Sequence, residues 1–354
     1  MNKKLNILAI LFIATVFSAN ARIWTVSNNP NSPGELTDLQ LACDTASAGD
    51  TILVSGSATS YGNVYIRKQL TLIGTGYNPN NQDKLTTIVG SILLSQLEDS
   101  WGAVISTSDG SIINGFDLFS IVTSGGGRSN ITIQRNRLSG ITTNGDLNNT
   151  SDNWLIINNV IYGIIDGNDY STNILISNNI IAEEQYSYGV IRGFTSNTVS
   201  IYNNIMIFGG VNTFQDSEHL TVSNNIFFGN NTLDTDNSTF NKNISFQGSP
   251  NNFDYNSNIS NNNMEETNPL FVNATDLIFE YTDDYHLQAT SLGKNAGTDG
   301  TDIGIYGGAY PWPEEVLPYS AMPTIPQVIE MHTLTPAVPI NSQLNVHIKA
   351  QKQD

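Results

Sequence analysis

Five stretches decide the fold: NITIQRNRL from Asn130, NWLIINNVI from Asn153, NILISNNII from Asn173, TVSIYNNIM from Thr198 and HLTVSNNIF from His219. Aligned on their second residue, they place Ile131, Trp154, Ile174, Val199 and Leu220 in one column. Two residues on stand Ile133, Ile156, Ile176, Ile201 and Val222. Asn occupies the fifth place after the first column in all five, as Asn136, Asn159, Asn179, Asn204 and Asn225, spaced by 23, 20, 25 and 21 residues. Leu138, Ile161, Ile181, Met206 and Phe227 close the template. Alternation at period two is strand patterning. A repeat of this length cannot hold two strands and a crossover helix, but it suits one coil of a solenoid, whose apolar face is buried only when coils stack.

The expected fold is therefore all-β: a right-handed parallel β-helix of about ten coils between about Asp50 and Val272. The repeated Asn has a structural explanation. Its amide can hydrogen-bond from rung to rung at ~4.8 Å spacing, and Asn tolerates the left-handed backbone of a tight corner. SIINGFDL from Ser111 fits the same frame with Phe116 in the ladder place. Shorter runs, among them Leu70 to Ile73, Thr86 to Val89, Ile92 to Leu94 and Ala103 to Ser106, read as strands of earlier coils. Leu36 to Ala46 has helical spacing, with Glu35 and Asp38 near its start. It is expected to cap the first coil, since an open solenoid end exposes apolar side chains and unpaired strand edges.

Outside the repeats, residues 1–21 have the order of a cleaved export signal: Lys3 and Lys4, an apolar run from Leu5 to Phe17, then Ala19-Asn20-Ala21 before Arg22. The mature chain is expected to start at Arg22 and to be secreted, periplasmic or on the cell surface. No later run approaches the ~20 apolar residues of a membrane span. Residues 22–308 form the expected β-helix with its cap. Residues 309–354 hold seven of the twelve prolines and end in QLNVHIKA, a tail with short strands.

Removing the leader leaves 12 basic and 32 acidic residues, a formal charge of −20. Such a field repels polyanions, which argues against nucleic acid and disfavours acidic polysaccharides relative to neutral glycans. The chain holds 46 asparagines, polarity without charge suited to turns and amide-lined surfaces. Its one cysteine, Cys43, allows no disulfide within the chain and is read as a small buried apolar group. A monomer is expected.

The stretch LTDLQLACDTASAGDTILVSGSATSYGNVYIRKQLTLIGTGY from Leu36, with NPLFVN from Asn268 and DYHLQATSLGKNAGTDGTDIGIYGG from Asp284, resembles secreted bacterial β-helix proteins of the pectate-lyase-like superfamily. The likeness spans most of residues 23–308 and lies in caps and corners. It implies export and contact with glycans, in a family that holds lyases, hydrolases and adhesins. Family lyases use an Arg or Lys base beside calcium held by carboxylates, and related hydrolases use paired acids on neighbouring strands.

The outward places of the five aligned strands, Thr132, Leu155, Leu175, Ser200 and Thr221, then Gln134, Ile157, Ser177, Tyr202 and Ser223, hold no carboxylate. The candidate catalytic or calcium cluster is instead drawn from loops: Asp166, Asp169, Glu183, Glu184 and Arg192. Arg135 and Arg137 flank the first ladder Asn, where a base or sugar-binding cation could sit. Tyr162, Tyr170, Tyr186, Tyr188 and Phe194 could line a glycan groove beside them. No cofactor is indicated, and calcium is the metal such acids would suit. Three readings follow: a glycan-associated β-helix without a catalytic motif, a polysaccharide lyase or glycoside hydrolase, or a structural or adhesive surface protein.

Overall fold

The computed structural model describes residues 21–30, 32–78, 85–183, 189–208, 212–229, 233–248, 253–254, 256–313, 327–333 and 346–351. Among these, one sheet has eleven strands, running from Ile23–Val26 through Thr51–Val54, Thr71–Ile73, Ile112–Asn114, Thr132–Gln134, Ser151–Ile157, Ser171–Ser177, Ser200–Tyr202, Thr221–Ser223 and Thr239–Asn241 to Ile259–Asn261. Every pairing between neighbours is parallel. The second sheet rises beside it from Val64–Ile66 through Ile88–Leu94, Asp117–Thr123 and Arg137–Thr142 to Val160–Asp166. It then forks. One branch carries Ile180–Glu183, Ile205–Phe208, Ile226–Phe228 and Ile244–Phe246, and the other carries Ile191–Arg192, Phe214–Glu218 and Leu233–Asp236. The fold is a parallel β-helix of about nine turns, wound in the right-handed sense that parallel crossovers adopt.

Register confirms the inward columns: Ile113, Ile133, Ile156, Ile176, Ile201, Val222 and Phe240 pair in succession and all are buried. The expected Asn column is also present. Asn179 shows its wiring: its Oδ1 accepts from the Asn159 backbone N–H at 2.9 Å and from Asn159 Nδ2 at 3.0 Å. Its own backbone N–H and Nδ2 donate to Asn204 Oδ1 at 2.9 and 3.0 Å, and Nδ2 also donates to the Ile156 carbonyl at 2.9 Å. Phe116 stands at one end, its N–H donating to Asn136 Oδ1, and Asn243 and Asn263 extend the column at the other.

The left-handed corner belongs to a different residue from the one expected. Arg135, Asn158, Asn178, Asn203 and Asn224, each just before the ladder Asn, have φ between 52° and 59°. The division of labour is physical: the first residue makes the bend and points outward, and the second turns its amide into the interior where unpaired backbone groups need it.

Three expectations change. Ala103 to Ser106 is no rung; Val104–Thr107 pairs antiparallel with Gln96–Glu98 in a hairpin whose Trp101, Val104 and Ile105 are exposed. The capping helix is shorter, Leu39–Thr45, because Asp38 is its N-cap, accepting from the Leu41 N–H at 2.8 Å. Leu36 forms a bridge to Val26 instead. The helix buries Leu39, Ala42 and Cys43, and burial, with Asp44 adding to it, pushes the Cys43 thiol up to about 12. Folded protein at pH 8 should therefore resist alkylation at Cys43, whereas urea-unfolded protein should react at an ordinary thiol's rate. Rapid labelling of the folded chain, read by mass spectrometry, would contradict this burial.

The closing stretch, expected to form a last coil and cap, runs along the outside of the second sheet. Phe271–Asn273 and Asp284–Leu287 pair antiparallel there. Val160, Ile180, Ile205, Ile226 and Ile244, which face outward, are fully buried with Phe271, Phe279, Tyr285, Ile303, Ile305 and Trp312 in a second apolar cluster. The corner asparagines hold this strap. Asn158 Nδ2 donates to the Tyr310 carbonyl at 2.8 Å, and Asn178 Nδ2 to the Ile305 and Gly307 carbonyls at 2.9 and 2.7 Å. Asn203 Nδ2 donates to the Gly304 carbonyl, and Trp312 Nε1 returns a bond to the Asn178 carbonyl at 2.6 Å. In the tail, Gln327–Thr333 and Val346–Gln351 form an antiparallel pair.

Candidate functional site

Asp166 ends the last unforked strand of the second sheet, and Arg192 is its register partner one coil on. Asp166 Oδ2 accepts from Arg192 Nε and Nη2, each at 2.8 Å, while Oδ1 accepts from the Asn168 N–H at 2.9 Å. Thr142 precedes the pair in the same column and Gln215 follows it. All four side chains are partly exposed. At this column the strand divides: in the next coils its two halves are the separate strands Ile180–Glu183 and Ile191–Arg192, then Ile205–Phe208 and Phe214–Glu218.

The other residues of the expected cluster have different places. Glu183 ends Ile180–Glu183 and pairs through its backbone with Phe208, in the same coil as Arg192 but on the other branch. Glu184, Tyr186 and Tyr188 lie outside the described residues. Asp169 holds a left-handed turn, φ 60°, three residues beyond Asp166. Among the described residues, no three His, Cys, Asp or Glu side chains gather as a metal ion would need.

Two of the five rings expected in a groove are engaged elsewhere. Phe194 is a core residue, fully buried. Tyr162 meets Phe279 of the strap edge-on, with ring centroids 6.0 Å apart. Arg137 is drawn into the same contact: its guanidinium lies 5.0 Å from the Tyr162 ring centre, and Nη1 donates to Asp117 Oδ1 at 2.9 Å. Burial opposes its charge, and Asp117 with the neighbouring tyrosines more than offsets that, so Arg137 stays protonated. Burial likewise pushes the phenols of Tyr77, Tyr281 and Tyr285 up. Neither a permanently charged guanidinium nor protonated phenols can take a proton near neutral pH. This corner fastens the strap, and the base role expected at Arg137 is excluded by its permanent charge. Arg135, at φ 53°, makes the corner bend itself.

No family model matches the chain, nor does any curated protein sequence. Among solved structures, it is similar to the pectate lyase Pel9A, at 16% identity and a TM-score of 0.37, over 81% of this chain and 96% of that one. This chain is a parallel β-helix. Its strand order and register establish that on their own, and its activity has to be argued from its side chains. Among the described residues no helix is long and apolar enough to cross a membrane.

What the Asp166–Arg192 row can do chemically follows from its exposure. Relative exposures of 19% for Asp166 and 36% for Arg192 leave both groups reachable by solvent. An ion pair so placed contributes only about 0–1 kcal/mol to folding. Thr142, Asp166, Arg192 and Gln215 together present hydroxyl, carboxylate, guanidinium and amide groups at intervals of ~4.8 Å, one per rung. Sequence reasoning found Asp166 and Arg192 through their charges in consecutive coils. It missed Thr142 and Gln215, whose membership depends on register across loops of unequal length.

Proposed function

We propose that the protein is an exported, carbohydrate-associated β-helix that holds an extended saccharide along the row Thr142, Asp166, Arg192 and Gln215. The in-register Asp166–Arg192 contact on the open side of the sheet carries this reading. A sugar hydroxyl donates to one partner and accepts from the other, and charged groups make the stronger hydrogen bonds. Two further observations support a neutral glycan: Asp166 already neutralises Arg192, and the formal charge of the whole chain is −18. Export rests on the leader-like residues 1–21.

The test is binding of the mature chain to neutral and acidic polysaccharides, with and without calcium, scored also for release of unsaturated or reducing ends. Asp166→Ala and Arg192→Ala should each weaken binding at least ~10-fold, the loss of one charge-assisted bond, while the melting temperature stays within about 2 °C. Unchanged affinity in both variants would remove the site. Release of chain ends would support the lyase or hydrolase reading, with Glu183 and Glu184 the next acids to substitute and calcium dependence the sign of a metal. Absence of any sugar-specific signal would leave the structural or adhesive reading.

A further inference from the structure

The first rung contains a carboxylate with an unusual partner. Asp50 is 4% exposed. Its Oδ2 accepts from Trp24 Nε1 at 2.9 Å and from the Ser47 N–H at 2.8 Å, and its Oδ1 accepts from the backbone N of Arg22 at 2.8 Å. Arg22 is itself anchored: its carbonyl accepts from the Thr51 N–H at 2.9 Å, and its guanidinium lies 3.7 Å from the Trp24 ring centre and 2.9 Å from Glu35 Oε2. Chain termini usually fray, but this residue is fixed at both its backbone and its side chain.

We infer that cleavage after Ala21 converts the Arg22 nitrogen into an α-ammonium group seated on the Asp50 carboxylate, so that maturation itself installs a partly buried ion pair closing the first coil. The inference rests on the export reading, which fixes Arg22 as the new terminus. Hydrolysis of the Ala21–Arg22 peptide bond adds water across it: the hydroxyl leaves with Ala21 as carboxylate, and the amine takes a proton at neutral pH. In the precursor the same nitrogen is a neutral amide, which makes a weaker bond to the same oxygen. The charged group in contact with the new amine is Asp50, and the nearby Arg22 guanidinium is itself paired with Glu35. With the guanidinium offset by Glu35, the Asp50 carboxylate in direct contact holds the terminal amine above its ordinary ~7.7. Its contribution is therefore complete below ~7.7 and is lost as the pH rises through the raised value.

The experiment compares three chains released from a fusion so that Arg22 is the first residue: the free amine, the N-acetylated form and Asp50→Asn. Acetylation restores an amide N–H and removes only the charge. At about pH 6.5 the acetylated chain should melt about 2 °C or more below the free one, and the difference should vanish at about pH 11, where the free amine is uncharged. Acylation of the Arg22 amine near pH 6.5, read on the N-terminal peptide, should run about 10-fold slower than in Asp50→Asn, matching a shift of about one pKa unit. Equal melting of free and acetylated chains, or equal acylation rates, would overturn the ion pair. N-terminal mass analysis of the chain recovered after export tests the processing separately, and a first residue other than Arg22 would overturn that part alone.

Discussion

Asn179→Leu should lower the free energy of unfolding by about 3–6 kcal/mol, because it strands several groups that cannot reach water, each worth roughly 1–3 kcal/mol. The Asn159 N–H and Nδ2 lose their acceptor, and the Ile156 carbonyl loses its donor. Asn159, Asn179 and Asn204 are all fully buried, so solvent cannot substitute. Leucine has the same branched skeleton and is the larger of the two, which separates the loss of hydrogen bonds from the creation of a cavity. The urea midpoint, with an unchanged slope, reads the effect. A cost below about 1 kcal/mol would mean that the amides do not bond from rung to rung.

Trp312→Ala should cost about 3–5 kcal/mol, the usual penalty for truncating a buried tryptophan. Its indole is 3% exposed in the outer cluster, and it also loses the Nε1 bond to the Asn178 carbonyl. The consequence is local before it is global. Neighbouring coils stand on their own inner core, so the strap should loosen while the solenoid persists. Amide exchange at Ile303, Gly304 and Trp312 should accelerate at least ~100-fold with the inner strands unchanged. Uniform acceleration throughout would instead make the strap part of a single cooperative unit.

These two expectations also show which parts of the molecule were legible in the chain. The inner core could be read from Ile133, Ile156, Ile176, Ile201 and Val222 because period-two alternation at a constant offset has few other physical meanings. The ladder could be read for the same reason. The strap could not. Its signal lay in the doubled apolar pairs Val160-Ile161, Ile180-Ile181, Ile205-Met206 and Ile226-Phe227, which mark strands buried on both sides. Nothing local says which segment covers them. That depends on contacts such as Asn178 to Ile305, across 127 residues of chain. The hairpin at Val104–Thr107 was misplaced because one short apolar run looks alike in a rung and in a protruding pair. The candidate site was half visible: Asp166 and Arg192 announce themselves by charge, but their pairing needs the register of two strands separated by a turn and an intervening rung.

Arg137 marks the boundary of that reading. A cation beside a corner looks uncommitted in the sequence, yet its guanidinium is held by Asp117 and the Tyr162 ring. Asp166 and Arg192 are committed to each other and stay partly exposed, which is what the proposed saccharide row requires.

The most direct measurement is an NMR experiment on protein labelled at asparagine. Each side-chain amide from Asn136 to Asn225 should show cross-relaxation with the backbone N–H of the ladder asparagine one rung away, and all should be protected from exchange. Cross-peaks linking Asn136 to Asn159, Asn159 to Asn179, Asn179 to Asn204 and Asn204 to Asn225 are the expected result. Amides that exchange freely and touch only their sequence neighbours would contradict the stacked coil on which the rest depends.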